Sequence, residues 1–270
     1  MPDVNPSFVF LKLGGSLITD KTSPHTPRLE VLRRLAGEVA AARQVSPDLR
    51  LLIGHGSGSF GHVPARRYHT RQGVHTPLEW QGFLEVWREA AALNYLVVDA
   101  FTAAGLPVMA FPPSAVLTAR DGRVETWDLA PLESALRVGL LPVVYGDVVF
   151  DRVRGGTIFS TEDLFEHLAV LLRPARILLV GLEPGVWGDY PRCEQLVSEI
   201  TPDNLWQVAA ALGGSAATDV TGGMASKVRQ CLDLVQATPG LQVLIFSGET
   251  PGVLPQALAG EPVGTLIHAT

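Results

Sequence analysis

An α/β fold with a mainly parallel sheet is predicted by three observations. Short apolar runs alternate with longer segments of helical spacing along the whole chain, the pattern of strands joined by crossover helices. Runs such as FVFLKL (8–13) and LLPVVYG (140–146) are apolar at successive positions, which suits strands covered on both faces. Several runs lead directly into glycine-rich or acidic segments: KLGGS, GHGSGSFGH, YGD and FSGET. Ligands of parallel sheets gather outside the carboxyl ends of the strands, so these four loops are expected at one edge.

Taken in order, Phe8 to Leu13 reads as a buried strand that ends at Gly14–Gly15. Pro27 to Arg43 has helical spacing, with Leu29, Leu32, Leu35 and Val39 on one face. Leu49 to Ile53 is a second short strand, followed by the loop GHGSGSFGH (54–62). Pro77 to Ala104 reads as a long helix and Pro107 to Phe111 as the next strand. Asp121–Gly122, between LTAR and RVETW, signals a hairpin. A helix near 130–138 leads into strand 140–146, and Val148 to Phe159 forms a second hairpin turning at Arg154–Gly156. Thr161 to Leu172 follows as a helix with Thr161 as its N-cap. The remainder alternates again: strand 176–181, helices 202–212 and 223–237, strand 241–246 and a last VGTLI strand.

The 270 residues suffice for one large α/β domain or two closely joined lobes. Hydrophobic content of 47% with 18% charged residues describes a folded chain rather than a disordered one. A net charge of −6 argues against general nucleic-acid or membrane-surface binding, so any anion site must be a local concentration of positive charge. Cys193 and Cys231 show no metal-ligand spacing and read as reduced thiols of a cytoplasmic protein. The N-terminus lacks the pattern of a signal peptide. The apolar stretch 90–111 is interrupted by Asn94, Asp99, Gly105 and Pro107, which suits a buried helix running into a strand better than a membrane span.

Only three of the 21 Lys and Arg side chains are lysines, and Lys12, Lys21 and Lys227 all lie in or beside glycine-rich segments. Lysine is a compact charge on a flexible stem, and backbone N–H groups of glycine turns with a lysine reaching in hold phosphates. Phosphoryl chemistry is the reading this pattern supports. GHGSGSFGH reads as an anion cradle with His62 pointing in, while His55 supports the turn. Its Gly56–Gly61 segment is formally GxGxxG, but the expected acidic residue at the end of a following strand is absent; position 81 is Gln. There is no GxxxxGK[ST] and no protein-kinase motif. Asp147 at a strand end and Asp163 at a helix start read either as capping carboxylates or as groups orienting lysines or a phosphate-borne Mg²⁺. In TDVTGGMASKV (218–228), Gly222–Gly223 opens a helix and Lys227 lies one turn in, a further phosphate site.

In this order, KLGGSLITDK (12–21), GHGSGSFGH (54–62), YGDVVFD (145–151), GGTIFSTED (155–163), TDVTGGMASKV (218–228) and SGETPG (247–252) resemble the amino acid kinase superfamily, and more narrowly its isopentenyl phosphate kinases. The resemblance spans nearly the whole chain. It implies an open αβα sandwich of the acetylglutamate kinase-like fold, with a substrate lobe over 1–173 and a nucleotide lobe over 174–270. It implies ATP-dependent phosphorylation of isopentenyl phosphate to isopentenyl diphosphate, in isoprenoid biosynthesis or salvage, with Mg²⁺ carried by the nucleotide and no protein-held metal. A homodimer is usual for such relatives. By resemblance, Lys12 and Lys21 would hold the transferring phosphoryl group, with Gly14, Gly15 and Ser16 donating to it. Gly56, Ser57, Gly58 and His62 would grip the acceptor phosphate and Gly156 would close over it. Lys227 would contact the β- and γ-phosphates, and Asp147 and Asp163 would keep the lysines placed. Gly58, Gly185, Gly222 and Gly248 complete the implied ATP site, and Phe83, Val86 and Trp87 on the 77–104 helix are candidates for an apolar tail pocket.

One departure is visible: where relatives carry T-D-V-x-G-V-Y, this chain reads Gly181-Leu182-Glu183-Pro184-Gly185-Val186-Trp187. The nucleoside contacts of that loop are therefore not carried over. Three alternatives stay open on sequence alone: a fosfomycin kinase-like enzyme acting on a small phosphonate, a non-catalytic nucleotide-binding protein on the same fold, and a dinucleotide-dependent oxidoreductase.

Overall fold

The computed structural model describes residues 5–206 and 223–269. The elements follow one another as β1 (Asn5–Leu13), α1 (Gly15–Ile18), α2 (Leu29–Val45), β2 (Arg50–His55), α3 (Gly58–Arg67), α4 (Pro77–Ala103), β3 (Val108–Ala110), α5 (Pro113–Val116), β4 (Leu117–Arg120), β5 (Arg123–Trp127), α6 (Ala130–Arg137), β6 (Leu141–Tyr145), β7 (Asp147–Asp151), β8 (Gly155–Phe159), α7 (Thr161–Leu172), β9 (Pro174–Gly181), β10 (Val186–Trp187), β11 (Leu196–Val197), β12 (Glu199–Ile200), α8 (Gly223–Ala237), β13 (Gln242–Ser247), α9 (Val253–Ala259) and β14 (Thr265–His268). The predicted helix over 202–212 lies largely outside the described residues.

Eight strands form the main sheet in the order β12-β14-β13-β9-β1-β2-β6-β3, and every pairing is parallel except β13 with β14. β1 is central, and its side chains alternate between two cores as strand geometry requires. Phe8 and Phe10 pack with Leu164, Phe165 and Leu168 on one face, and Val9, Leu11 and Leu13 pack with Leu32, Leu35 and Leu93 on the other. α2 covers the second face because Leu32, Leu35, Ala36 and Val39 fall on one helical stripe. A smaller sheet, β5-β4-β7-β8, carries both predicted hairpins. The chain runs from β1 to β2 on one side, while β9 joins β1 on the other. That reversal of direction opens a crevice at the carboxyl ends of β1 and β9.

Two local expectations are corrected and one helix is added. Residues 58–67 form α3 rather than extending a loop, in spite of Gly61 and Pro64 inside the helix. Pro64 sits in the latter half of a ten-residue helix, and burial of Phe60 and Pro64 outweighs its poor propensity. The cap of α7 is Ser160, not Thr161. Ser160 Oγ accepts from Asp163 N at 3.1 Å while Asp163 Oδ2 accepts from Ser160 N at 2.7 Å, a reciprocal capping box. Val253–Ala259, which has no strong helical signal, forms α9. Among the described residues no helix is long and apolar enough to cross a membrane, and α4 buries Phe83, Leu93, Val97 and Phe101 as a core helix.

Candidate active site

The crevice is a cavity of about 530 Å³. It is lined by Lys12, Gly14, Gly15, Ser16, Lys21, Gly56, Ser57, Gly58, His62 and Lys227, so ten of the residues expected from sequence meet in one place. The two glycine turns that bring them together lie back to back. A Cβ on Gly15 would stand 2.7 Å from Gly58 Cα, and one on Gly58 would stand 2.6 Å from Gly15 O. Gly58 also has φ +51°, a conformation that costs little only without a side chain. Thr19, 1% exposed, rivets the turns: its Oγ1 donates to Gly15 O at 2.7 Å and accepts from Ser59 N at 2.9 Å. Sequence reading passed over Thr19; its signal was its place inside ITDK, three residues from Ser16.

His55 anchors the same cradle from below. It is fully buried, stacks on Tyr145 at 5.3 Å and lies 3.2 Å from both Gly56 O and Asn94 Oδ1. Burial pushes its ring down to about 4, so it is neutral at pH 7 and supports the turn as expected. His62 stands one turn into α3, half-buried, on the wall of the cavity.

The carboxylate that meets Lys12 is Glu162, with Nζ–Oε1 at 2.8 Å and Lys12 only 7% exposed. Burial alone would raise the Glu162 carboxyl, but the charges of Lys12 and Lys227, with the Lys12 hydrogen bond, hold it down at about 2. The two lysines therefore share one ionised partner. Asp147 and Asp163 take other partners, Asp163 in the capping role that was one of its two expected readings. Asp163 closes the capping box of α7 and pairs with Arg71 at 3.0 Å. Asp147 is fully buried, accepts from Val148 N at 2.8 Å and Ser114 N at 3.3 Å, and has its carboxyl raised by burial to about 6. Glu162 escaped because two adjacent carboxylates at a helix start look alike in sequence, whereas the helix turns them about 100° apart.

Other expected residues lie behind the wall. Gly156 faces the Phe83 ring, where a Cβ would fall 2.7 Å from Phe83 Cε2, and Phe83 is itself 4% exposed in a cluster with Val74, Val86 and Val148. Trp87 turns outward, 42% exposed. Of the three candidates on α4, Val86 does line the cavity, and with Ala65 of α3 and Ile158 of β8 it makes the apolar wall. Gly185 packs on Thr265 and Gly248 between Leu17 and Val180, both behind the cavity surface. Gly222 lies outside the described residues. The opposite wall comprises Leu179, Gly181, Leu182, Glu183, Trp187, Tyr190, Cys193, Gly223, Met224 and Ile245. Glu183 there accepts from the Trp187 indole at 2.9 Å.

A profile described as the amino acid kinase family matches residues 7–247. The chain is 35% identical to an isopentenyl phosphate kinase of Methanothermobacter thermautotrophicus, over 96% of this chain and 98% of that one. It is 37% identical to an isopentenyl phosphate kinase of Haloferax volcanii, over 97% and 99%. A solved isopentenyl phosphate kinase superposes with a TM-score of 0.80 at 31% identity, covering 96% of this chain and 99% of that structure. The chain belongs to the amino acid kinase family and, within it, to the isopentenyl phosphate kinases.

Proposed function

We propose that the protein transfers the γ-phosphoryl group of ATP to isopentenyl phosphate, giving isopentenyl diphosphate. The observation that carries this reading is one cavity in which a glycine cradle and His62 adjoin an apolar wall of Ala65, Val86 and Ile158. A phosphate monoester with a short hydrocarbon tail matches both halves. A small polar phosphonate would leave that wall without an apolar partner. In this reading residues 1–173 form the substrate side and 174–270 the nucleotide side.

Phosphoryl transfer asks the protein for position and charge stabilisation, with little covalent work. Lys12 and Lys21 hold the transferring group, and the N–H groups of Gly15 and Ser16 donate to it, the Gly14 N–H being donated to Val180 O at 2.7 Å. Gly56, Ser57, Gly58 and His62 hold the acceptor phosphate. That phosphate already presents an anionic oxygen at pH 7, so His62 acts as a hydrogen-bond donor rather than as a base. Lys227 and the N-terminus of α8 fit the phosphates of ATP. Each lysine–phosphate pair is worth about 4 kcal/mol at ~4 Å and an effective dielectric of ~20, before desolvation. Glu162 pairs with Lys12 and sits in the field of Lys227, so one carboxylate offsets the charge of both. The glycine turns are held in place by the Gly14 bond to Val180 O and by the N–H of Gly56, donated to Leu13 O at 3.1 Å, and Mg²⁺ enters with the nucleotide. A cytoplasmic homodimer completes the proposal.

The test is an acceptor panel at fixed ATP: isopentenyl phosphate, isopentenol, fosfomycin and glutamate, followed by ADP release. Isopentenyl phosphate is expected to exceed every other acceptor in kcat/KM by at least about a hundredfold. A preference for fosfomycin, or turnover of isopentenol at a similar rate, would overturn the assignment.

A further inference from the structure

Arg71 stands at the site. It lies in the turn that follows α3, the helix that carries His62, and its backbone carbonyl accepts from Thr157 Oγ1 of β8 at 2.9 Å. The turn is thereby pinned to the smaller sheet. The side chain lines the main cavity together with Lys12, Lys21, His62 and Lys227. It also lines an adjoining chamber of about 240 Å³, whose lining includes Ser160, Glu162, Asp163, Ser226, Lys227 and Gln230. Arg71 is thus one of the side chains, with Ser160, Glu162 and Lys227, that line both spaces.

Its hold on Asp163 is partial. One terminal nitrogen meets Asp163 Oδ2 at 3.0 Å, and that same oxygen accepts from Ser160 N at 2.7 Å. The guanidinium carries five N–H donors in a planar fork, and its side chain is 44% exposed, so donors remain for a ligand. A half-exposed pair with a single carboxylate is weak, whereas a phosphate offers about twice the charge and a bidentate edge. Asp163 keeps its capping role if Arg71 leaves, because the Ser160 bonds do not depend on it.

We propose that Arg71 is a substrate-binding residue: its guanidinium exchanges Asp163 for the phosphate held against His62, adding a fork to the three lysines. This rests on the phosphate-acceptor reading above. The test is calorimetric binding of isopentenyl phosphate and of inorganic phosphate to wild type, Arg71→Gln and Asp163→Asn, with ADP binding and melting temperature as controls. Arg71→Gln is expected to weaken both phosphates at least tenfold while ADP binding stays within threefold, and Asp163→Asn to bind them as well as wild type or more tightly. Equal weakening in the two variants would reduce Arg71 to a structural partner of Asp163 and overturn the proposal, as would wild-type affinity in Arg71→Gln. If Arg71→Gln fails to fold, Arg71→Lys decides: a loss of at least threefold supports the fork and wild-type affinity contradicts it. Wild-type protein that binds inorganic phosphate but not isopentenyl phosphate would count against the proposed acceptor and not against Arg71.

Discussion

The two walls of the cavity are built on different principles. The acceptor wall is backbone pressed against backbone: Gly15 on Gly58, Thr19 bonded to both turns, and His55 buried beneath them. The described part of the nucleotide wall is side chains on the surface of an irregular segment, where Leu182 is 44% exposed and Tyr190 is 39% exposed. A wall of close-packed main chain has one workable sequence and little room to drift. A wall of partly exposed side chains can exchange residues, and here Leu182 stands where relatives of the same pattern carry aspartate. Substitutions should therefore hurt steeply on the first wall and mildly on the second, with Glu162 dominating both because it serves Lys12 and Lys227 together.

Glu162→Ala carries the largest expected effect. It strands Lys12 in a buried site, which costs about 3–5 kcal/mol, and removes the partner that aligns two lysines. Turnover should fall by about a thousandfold or more, read from ADP release, with the loss of stability read from a denaturant melt. A change below tenfold would mean that the lysines are placed by something else. His62→Ala should lower kcat/KM for the acceptor by about a hundredfold and leave ADP binding within about threefold; comparable losses for both ligands would blur the division between the walls.

Gly58→Ala probes the packed wall itself. At φ +51° with Gly15 O and Thr19 in its way, the new methyl should cost about 1–3 kcal/mol. The acceptor KM should rise by more than about tenfold, and an unchanged KM would show that the turns tolerate separation.

Asp147 gives a pH signature. Its carboxyl is raised from 3.8 to about 6, so the folded protein holds this proton more tightly than the unfolded chain. The resulting stability is full below about pH 4 and is lost as pH rises through 6. Relative to Asp147→Asn, wild type should lose about 2 kcal/mol between pH 4 and pH 7. Parallel melting curves across that range would contradict this. Leu182→Asp is expected to do least, moving KM for ATP by less than about fivefold; a large loss would make the nucleotide wall as exacting as the acceptor wall.

The comparison also explains what the sequence revealed. Lysines are rare here and sit on glycine turns, so Lys12, Lys21 and Lys227 stood out, and His62 ended a run with almost no other side-chain chemistry. The alternation of strands and helices made the parallel sheet legible, including both hairpins of the smaller sheet. Residues acting through side-chain direction were harder. Of the three tail candidates on α4 only Val86 lines the cavity, because a helix turns its face between neighbours, and Glu162 rather than Asp163 reaches Lys12 for the same reason. α3 was hidden by Gly61 and Pro64, whose local preferences tertiary packing overrides. Thr19 looked like an ordinary polar residue, and only the closeness of two turns distant in sequence gives it a role.

The central claim is that the acceptor atom is a phosphate oxygen gripped by the packed wall. It is tested most directly by ³¹P NMR of wild-type protein with ATP and isopentenyl phosphate. The account predicts loss of the monoester resonance and growth of a coupled pair of diphosphate resonances distinct from those of ADP. ATP consumed with the monoester resonance unchanged, or no change in either, would contradict it.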